Sequence, residues 1–193
     1  GTIAWFLGVL LGVTLVVTRR GGICPKRMVF TLCDRLIDLI RSVPFIILMV
    51  LLIPLSRLIV GTGSGLEGSF VALVFGTVPF FARQIEQVLS DVDAGLIEAA
   101  SAMGFSPREI IFSVYLKESI PGITRVTMIT FVSFVGITAI AGAIGAGGLG
   151  DFAIRYGYQM GYRDMIWLTV AVILLMISLF QFIGSLVIKR TTH

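Results

Sequence analysis

Five stretches of the chain stay apolar for longer than a soluble domain sustains, and short polar or glycine-bearing segments separate them. Met165 to Ile188 is 24 residues without a charge, 15 of them Leu, Ile, Val or Phe. Each of those is favourable by roughly 0.3–0.6 kcal/mol at the centre of a membrane span. Together they outweigh Ser178, Gln181 and Ser185. Val126 to Ala146 is a second uncharged run, of 21 residues. Val43 to Val60 is apolar except for Arg57, which lies near one end and can snorkel to the interface. Gly68 to about Leu89 carries Arg83 and Glu86 only towards its far end, and Thr2 to Thr18 is the fifth run. Lipid cannot satisfy an open backbone, so runs of this length are read as helices. The pattern predicts an all-α integral membrane protein, one transmembrane domain over residues 1–193 with about five spans. The chain opens on Gly1 and is apolar by Ile3, so only part of the first span is expected in it. Pro44, Pro54, Pro79 and Gly76 are expected to interrupt the second and third spans.

Composition agrees. Mean hydropathy is +1.01 and 13% of residues are charged, against about 25% in a soluble domain. The charge distribution adds an orientation. Of 15 Lys and Arg, 12 fall in the segments Arg19–Arg41 and Arg83–Arg125 and in the tail bearing Lys189 and Arg190. Arg57, Arg155 and Arg163 lie on the other side. Positive charge marks the cytoplasmic face, so the C-terminus is expected inside and, with five spans, the N-terminus outside. The net charge of +4 reflects this asymmetry and is no sign of nucleic-acid binding. Cys24 and Cys33 lie on the reducing side without metal-ligand spacing, and the only His is His193. No metal site or cofactor is expected.

The long polar segment between the third and fourth runs has helix ends written into it. Asp93 can cap a helix running from Ala94 to Met103, and Gly104 stands where a left-handed C-terminal residue is wanted. Ser106-Pro107-Arg108-Glu109 then reads as a second start: N-cap, favoured first position and capping box. Ile110, Ile111, Val114, Tyr115 and Leu116 put an apolar face on this second helix. The first of these helices, about 15 Å long, centres on Ala99, Ala100 and Ala102, a smooth knob with little side-chain entropy to lose on docking. Nearer the N-terminus, Arg35 with Asp38 and Asp38 with Arg41 are i,i+3 pairs, predicting a short interfacial helix.

Glu98-Ala99-Ala100 followed by Gly104 resembles the cytoplasmic loop signature of permease subunits of ABC importers of type I: Glu-Ala-Ala, three residues, Gly, nine residues, then Ile-x-Leu-Pro. Val114 and Leu116 stand for the Ile and Leu. Lys117 replaces the usual Pro, so the second helix is expected to run unbroken until Pro121. Arg41-Ser42-Val43-Pro44-Phe45-Ile46, the glycine-rich run Gly142–Gly150 and Tyr156-Gly157-Tyr158 resemble the methionine-importing branch of that family. The resemblance implies a bacterial cell-membrane permease for a small solute, with L-methionine the expected substrate. It implies pairing with a second copy of itself, two cytoplasmic ATPase subunits that bind the ATP, and an external substrate-binding protein. Glu98, Ala99, Ala100 and Gly104 are then the coupling residues that the ATPase grips.

The chain itself carries no Gly-x-x-x-x-Gly-Lys-Ser/Thr loop, so hydrolysis is left to the partner. Gly142–Gly150 lacks the lysine of a phosphate loop and is read as close packing and a bend at the outer mouth. Ser133, Gly136, Thr138 and Ala139 are the small or weakly polar positions expected to line the pathway, with plain helix packing as the other reading of each. Osmoprotectant or phosphonate transport remain alternatives for the substrate. An ion-coupled secondary transporter is a further alternative, against which stand the absence of an internal repeat and of ionisable residues in the two cleanest spans.

Overall fold

The computed structural model describes residues 1–191, and every element in it is helical. His193 lies outside the described residues. In chain order the α-helices are α1 (Thr2–Thr18), α2 (Arg27–Ser42), α3 (Phe45–Leu51), α4 (Ile53–Val60), α5 (Gly65–Ser90), α6 (Ala94–Ala102), α7 (Pro107–Ile110), α8 (Leu116–Glu118), α9 (Ile120–Ala141), α10 (Gly148–Phe152) and α11 (Arg163–Thr191). Wider π-helical turns join α7 to α8 (Ile111–Tyr115), extend α9 (Gly142–Ala146) and extend α10 (Ala153–Gln159).

Among the described residues, three helices are long and apolar enough to cross a membrane: α5, α9 and α11. In chain order, α5 and α11 contain the third and fifth predicted runs, and α9 with its π-helical extension contains the fourth. The first run is α1, of 17 residues. The second is not one helix. Pro54 has no N–H to give to Val50 and its ring crowds that carbonyl, so α3 ends and α4 begins across Leu52, at φ −88° and ψ 1°. Pro79 and Gly76, expected to interrupt the third run, do not: α5 continues through both for 26 residues.

In lipid, helix association depends on close packing rather than on expulsion of water. The pairing of α1 with α5 shows how. Ala4, Gly8 and Gly12, four residues apart, form one buried stripe on α1. A Cβ on Gly12 would stand 2.6 Å from Ile85 Cγ2 and 2.8 Å from the Ala82 carbonyl oxygen. The missing side chains therefore let the two backbones meet. α9 packs on α5, α11 on α9, and α2 to α4 on the remaining sides of α5. Trp5 Nε1–H donates to Thr127 Oγ1 at 2.9 Å, tying α1 to α9. The rings of Phe131 and Phe180 stack at 3.9 Å between α9 and α11.

The main core does not stop at the ends of the long helices. Val16, Phe81, Ile85 and Leu89 join Ala100, Ile110, Tyr115 and Val126 in one buried cluster. The segment between α5 and α9 is thus fastened to the spans by its own apolar side chains.

Arg83 supplies a link that sequence spacing did not show. Its guanidinium donates to Asp34 Oδ1 at 2.8 Å, to Asp38 Oδ1 at 2.7 Å and to Glu86 Oε2 at 2.7 Å, clamping α2 onto α5. Of the two i,i+3 pairs expected on α2, Arg41 with Asp38 forms at 4.0 Å. Arg35 makes no ion pair among the described residues, because Asp38 is turned towards α5.

Candidate functional site

The candidate site is the hairpin of α6 and α7. The Asp93 carboxylate accepts the Gly95 N–H at 2.6 Å and starts α6. Three carbonyl acceptors finish it: Met103 N–H donates to Ala99 O at 3.0 Å, Gly104 N–H to Ser101 O at 3.0 Å, and Phe105 N–H to Ala100 O at 3.1 Å. The last two bonds form a Schellman closure, and Gly104 stands in it at φ +83°. Two residues on, Ser106 Oγ accepts from the Glu109 N–H, and the Glu109 carboxylate accepts the Ser106 N–H at 2.7 Å. The capping box read from the sequence is therefore complete. The Ser106 hydroxyl also donates to the Glu109 carboxylate at 2.7 Å, and this bond and the one from the Ser106 amide hold the Glu109 carboxyl below its ordinary range.

Exposure sorts the four coupling candidates. Glu98, Ala99 and Gly104 face outward, with Ala102 and Met103 beside them. Ala100 faces the other way, 2% exposed, in the core cluster. The knob is thus narrower than the alanine run implies, because one alanine in it seats the helix rather than presenting it. Ile110 at 1% and Tyr115 at 3% exposure hold α7 and the adjoining π turn on the same core. Burial pushes the Tyr115 phenol up, against a smaller opposing pull from Arg19. Burying a side chain such as Ile110 is worth roughly 2 kcal/mol, so α7 is anchored rather than merely tethered. Helix continues through Lys117 to Glu118 and breaks at Ser119, φ −89° and ψ 2°, just before Pro121, as the replacement of proline by Lys117 predicts.

A cavity of about 390 Å³ lies between the end of α5 and the starts of α6 and α9, with Asp91, Asp93, Glu118, Ser119 and Arg125 in its wall. The buried Ser119 hydroxyl has no hydrogen-bond partner among the described residues.

The four pathway candidates are not brought together. Ser133 borders a cavity of about 280 Å³ against α2, α3 and α5. Thr138 and Ala139 border another, of about 130 Å³, against α5, α10 and α11, and Thr138 Oγ1 donates to Val135 O of its own helix. Gly136 alone of the four is exposed, with open space where a Cβ would be. It shares an exposed stripe with Arg125, Ile129 and Ile140, at spacings of four, seven and four residues. Selecting small residues missed that stripe; helical spacing would have found it. The glycine run does what was expected of it: α10 folds back on α9, and a Cβ on Gly150 would collide with the Ala139 backbone.

Residues 6–191 match the family described as the inner membrane component of binding-protein-dependent transport systems. The chain belongs to that family. It is 39% identical, over 193 residues covering 100% of this chain and 86% of the relative, to the probable D-methionine transport system permease protein MetI of Vibrio cholerae. It is 39% identical over 173 residues to the methionine import system permease protein MetP of Bacillus subtilis, covering 90% of this chain and 78% of that protein. In three dimensions it is similar to a chain from inward-facing conformations of the MetNI methionine ABC transporter, with a TM-score of 0.92 and 37% identity over 99% of this chain and 90% of that one. Membership makes this chain a multi-pass inner-membrane permease component, the part of such a system that lies in the bilayer.

Proposed function

We propose that this chain forms the methionine pathway of an ABC importer, pairing with a second copy of itself and driven by separate ATPase subunits that seat on α6. The names of relatives aligned over most of their length support the substrate, and the transporter with the similar permease chain supports the ATPase partner. The observation that carries the mechanism is the continuity of one buried cluster from Ala100 and Ile110 to Phe81, Ile85 and Val126. A force on the exposed Glu98, Ala99 and Gly104 is delivered through packed side chains to α5 and α9, without a flexible link between.

Each site residue then has its own part. Glu98 offers charge to the ATPase, Ala99 and Gly104 allow close approach, and Ala100 fastens the helix that is pushed. ATP binds and is hydrolysed in the partner, and this chain needs no cofactor of its own. The basic segments face the cytoplasm, which sets the C-terminus inside and the N-terminus outside. An external binding protein delivers methionine to the outward-facing pair. The exposed α9 stripe of Arg125, Ile129, Gly136 and Ile140 is the wall that the two copies present to the pathway, and Ser133, Thr138 and Ala139 support it from behind.

Uptake by proteoliposomes holding this chain, its ATPase and its binding protein tests the reading. Labelled L-methionine should accumulate only with ATP, and excess methionine, the D-enantiomer included, should compete. Competition by a betaine or a phosphonate, with none by methionine, would transfer the substrate to another branch of the family.

A further inference from the structure

The segment from Arg19 to Ser42 is left over by the transport reading, and it has an unusual surface. α2 is 16 residues long, and only Ile37 in it is buried. Met28, Leu32, Leu36 and Leu39 are 88%, 62%, 48% and 65% exposed. Their spacing puts them on one stripe along about 17 Å of helix. Cys33, Ile37 and Phe30, on the neighbouring face, pack against α1 and α5. The protein thus covers one part of the apolar arc and leaves the other open. α2 also joins α1 to α3 and so lies level with the ends of spanning segments, where a membrane surface is the adjacent phase.

Charge narrows what that surface is. Arg20, Lys26, Arg27 and Arg35 are exposed, and their side chains make no ion pair or hydrogen bond among the described residues. The only acids between Arg19 and Ser42 are Asp34 and Asp38. Both are turned onto Arg83. The clamp engages both of the segment's acids, and the four unpaired basic residues form a cationic rim beside an apolar stripe. An amphipathic helix of that make-up lies in the interface plane and attracts anionic headgroups.

We propose that α2 and the turn before it form a binding surface for anionic phospholipid of the phosphatidylglycerol type. The stripe Met28, Leu32, Leu36 and Leu39 enters the acyl boundary, and Arg20, Lys26, Arg27 and Arg35 hold the phosphate. Through Arg83 the same lipid contact bears on α5, the helix that leads into α6. The transport reading enters here only in assigning the cytoplasmic leaflet.

The test needs no transport. The purified complex is reconstituted in phosphatidylcholine vesicles containing spin-labelled phosphatidylglycerol or spin-labelled phosphatidylcholine, and the motionally restricted fraction of each is measured. Each basic residue near an anionic surface contributes about fivefold in partition, so labelled phosphatidylglycerol should be enriched at least about fivefold over phosphatidylcholine. The variant R20Q/K26Q/R27Q/R35Q, which breaks no contact inside the protein, should assemble normally and lose most of that enrichment. The variant R20K/R27K/R35K should keep it. Salt at about 1 M, where the screening length is about 3 Å, should reduce it. Full enrichment in the glutamine variant overturns the proposal. So does displacement of the label by millimolar glycerol phosphate, which would make this a site for a free phosphate.

Discussion

The α6–α7 hairpin and the α9–α10 turn both depend on glycine, for opposite reasons. Gly104 stands at φ +83° with open space around it, so what it supplies is backbone freedom. Gly150 lies against the Ala139 backbone, so what it supplies is the absence of a side chain. The first hairpin is specified by residues within a few positions of each other: Asp93 on Gly95, Phe105 on Ala100, Ser106 on Glu109. The second turn also uses left-handed glycines, Gly145, Gly147 and Gly148, but it closes on a packing contact between residues eleven apart, Gly150 on Ala139. Local bonds of this kind fix the shape of the α6 surface without help from the spans. The α9–α10 turn takes part of its shape from the packing of one helix on another.

Changes at these two places should therefore behave differently. The largest effect belongs to the packed turn. Gly150→Ala forces a methyl against backbone that cannot yield, and overpacking of this kind costs about 1–3 kcal/mol. Thermal unfolding of the purified chain should show the loss, whereas Gly136→Ala, with open space beyond its Cα, should leave unfolding unchanged. Equal behaviour of the two variants would break the contrast.

Arg83→Gln comes next. It leaves Asp34, Asp38 and Glu86 facing one another with no cation between. The side chain is 27% exposed, so the loss should fall short of a fully buried pair, at about 2 kcal/mol. Hydrogen exchange should rise along α2 and leave α6 as it was. Asp93→Ala should cost about 1 kcal/mol as a lost N-cap, and there the added exchange should appear in the first turn of α6 and nowhere in α9.

The smallest effect is one of pH. The Glu109 carboxyl is held below its ordinary range in the folded hairpin. Its contribution is therefore complete above the unfolded-state value and is lost as pH falls through the folded one. Protection of the Ser106 and Glu109 amides, taken relative to the intrinsic exchange rate at each pH, should fall below about pH 4, and Glu109→Gln should remove that dependence.

The same contrast decides what was legible in the sequence. The ends of α6 and the capping box could be read directly, because cap, glycine and box each act over at most a few residues. Long apolar runs gave α5, α9 and α11 for a similar reason: their composition favours lipid over water, and the charges of α5 lie near its ends. Reading failed where distant residues compete. Asp38 was assigned to its i,i+3 neighbours; it keeps Arg41 at 4.0 Å, but its short bond goes to Arg83, 45 positions away, and Arg35 is left out. Gly8 and Gly12 look ordinary in an apolar run until Ile85 and Phe81 arrive against them. Pro54 splits its helix while Pro79 does not, a difference that proline's own chemistry does not explain. The small residues of α9 were expected to form one lining, and three-dimensional packing sent Ser133, Thr138 and Ala139 to internal walls and left Gly136 on the open face.

In the proposed mechanism α6 transmits ATP-driven motion, and Gly104 serves it through its backbone. The most direct measurement is the ratio of methionine taken up to ATP hydrolysed in proteoliposomes, for wild type, Gly104→Asn and Gly104→Val. Asn tolerates the left-handed conformation, whereas a β-branched side chain there is a steric outlier. The account predicts that Gly104→Asn keeps a ratio near wild type and that Gly104→Val lowers it at least about tenfold, equivalent to about 1.4 kcal/mol. A wild-type ratio in Gly104→Val, with the ATPase bound as before, would contradict it and reduce α6 to a connector between spans.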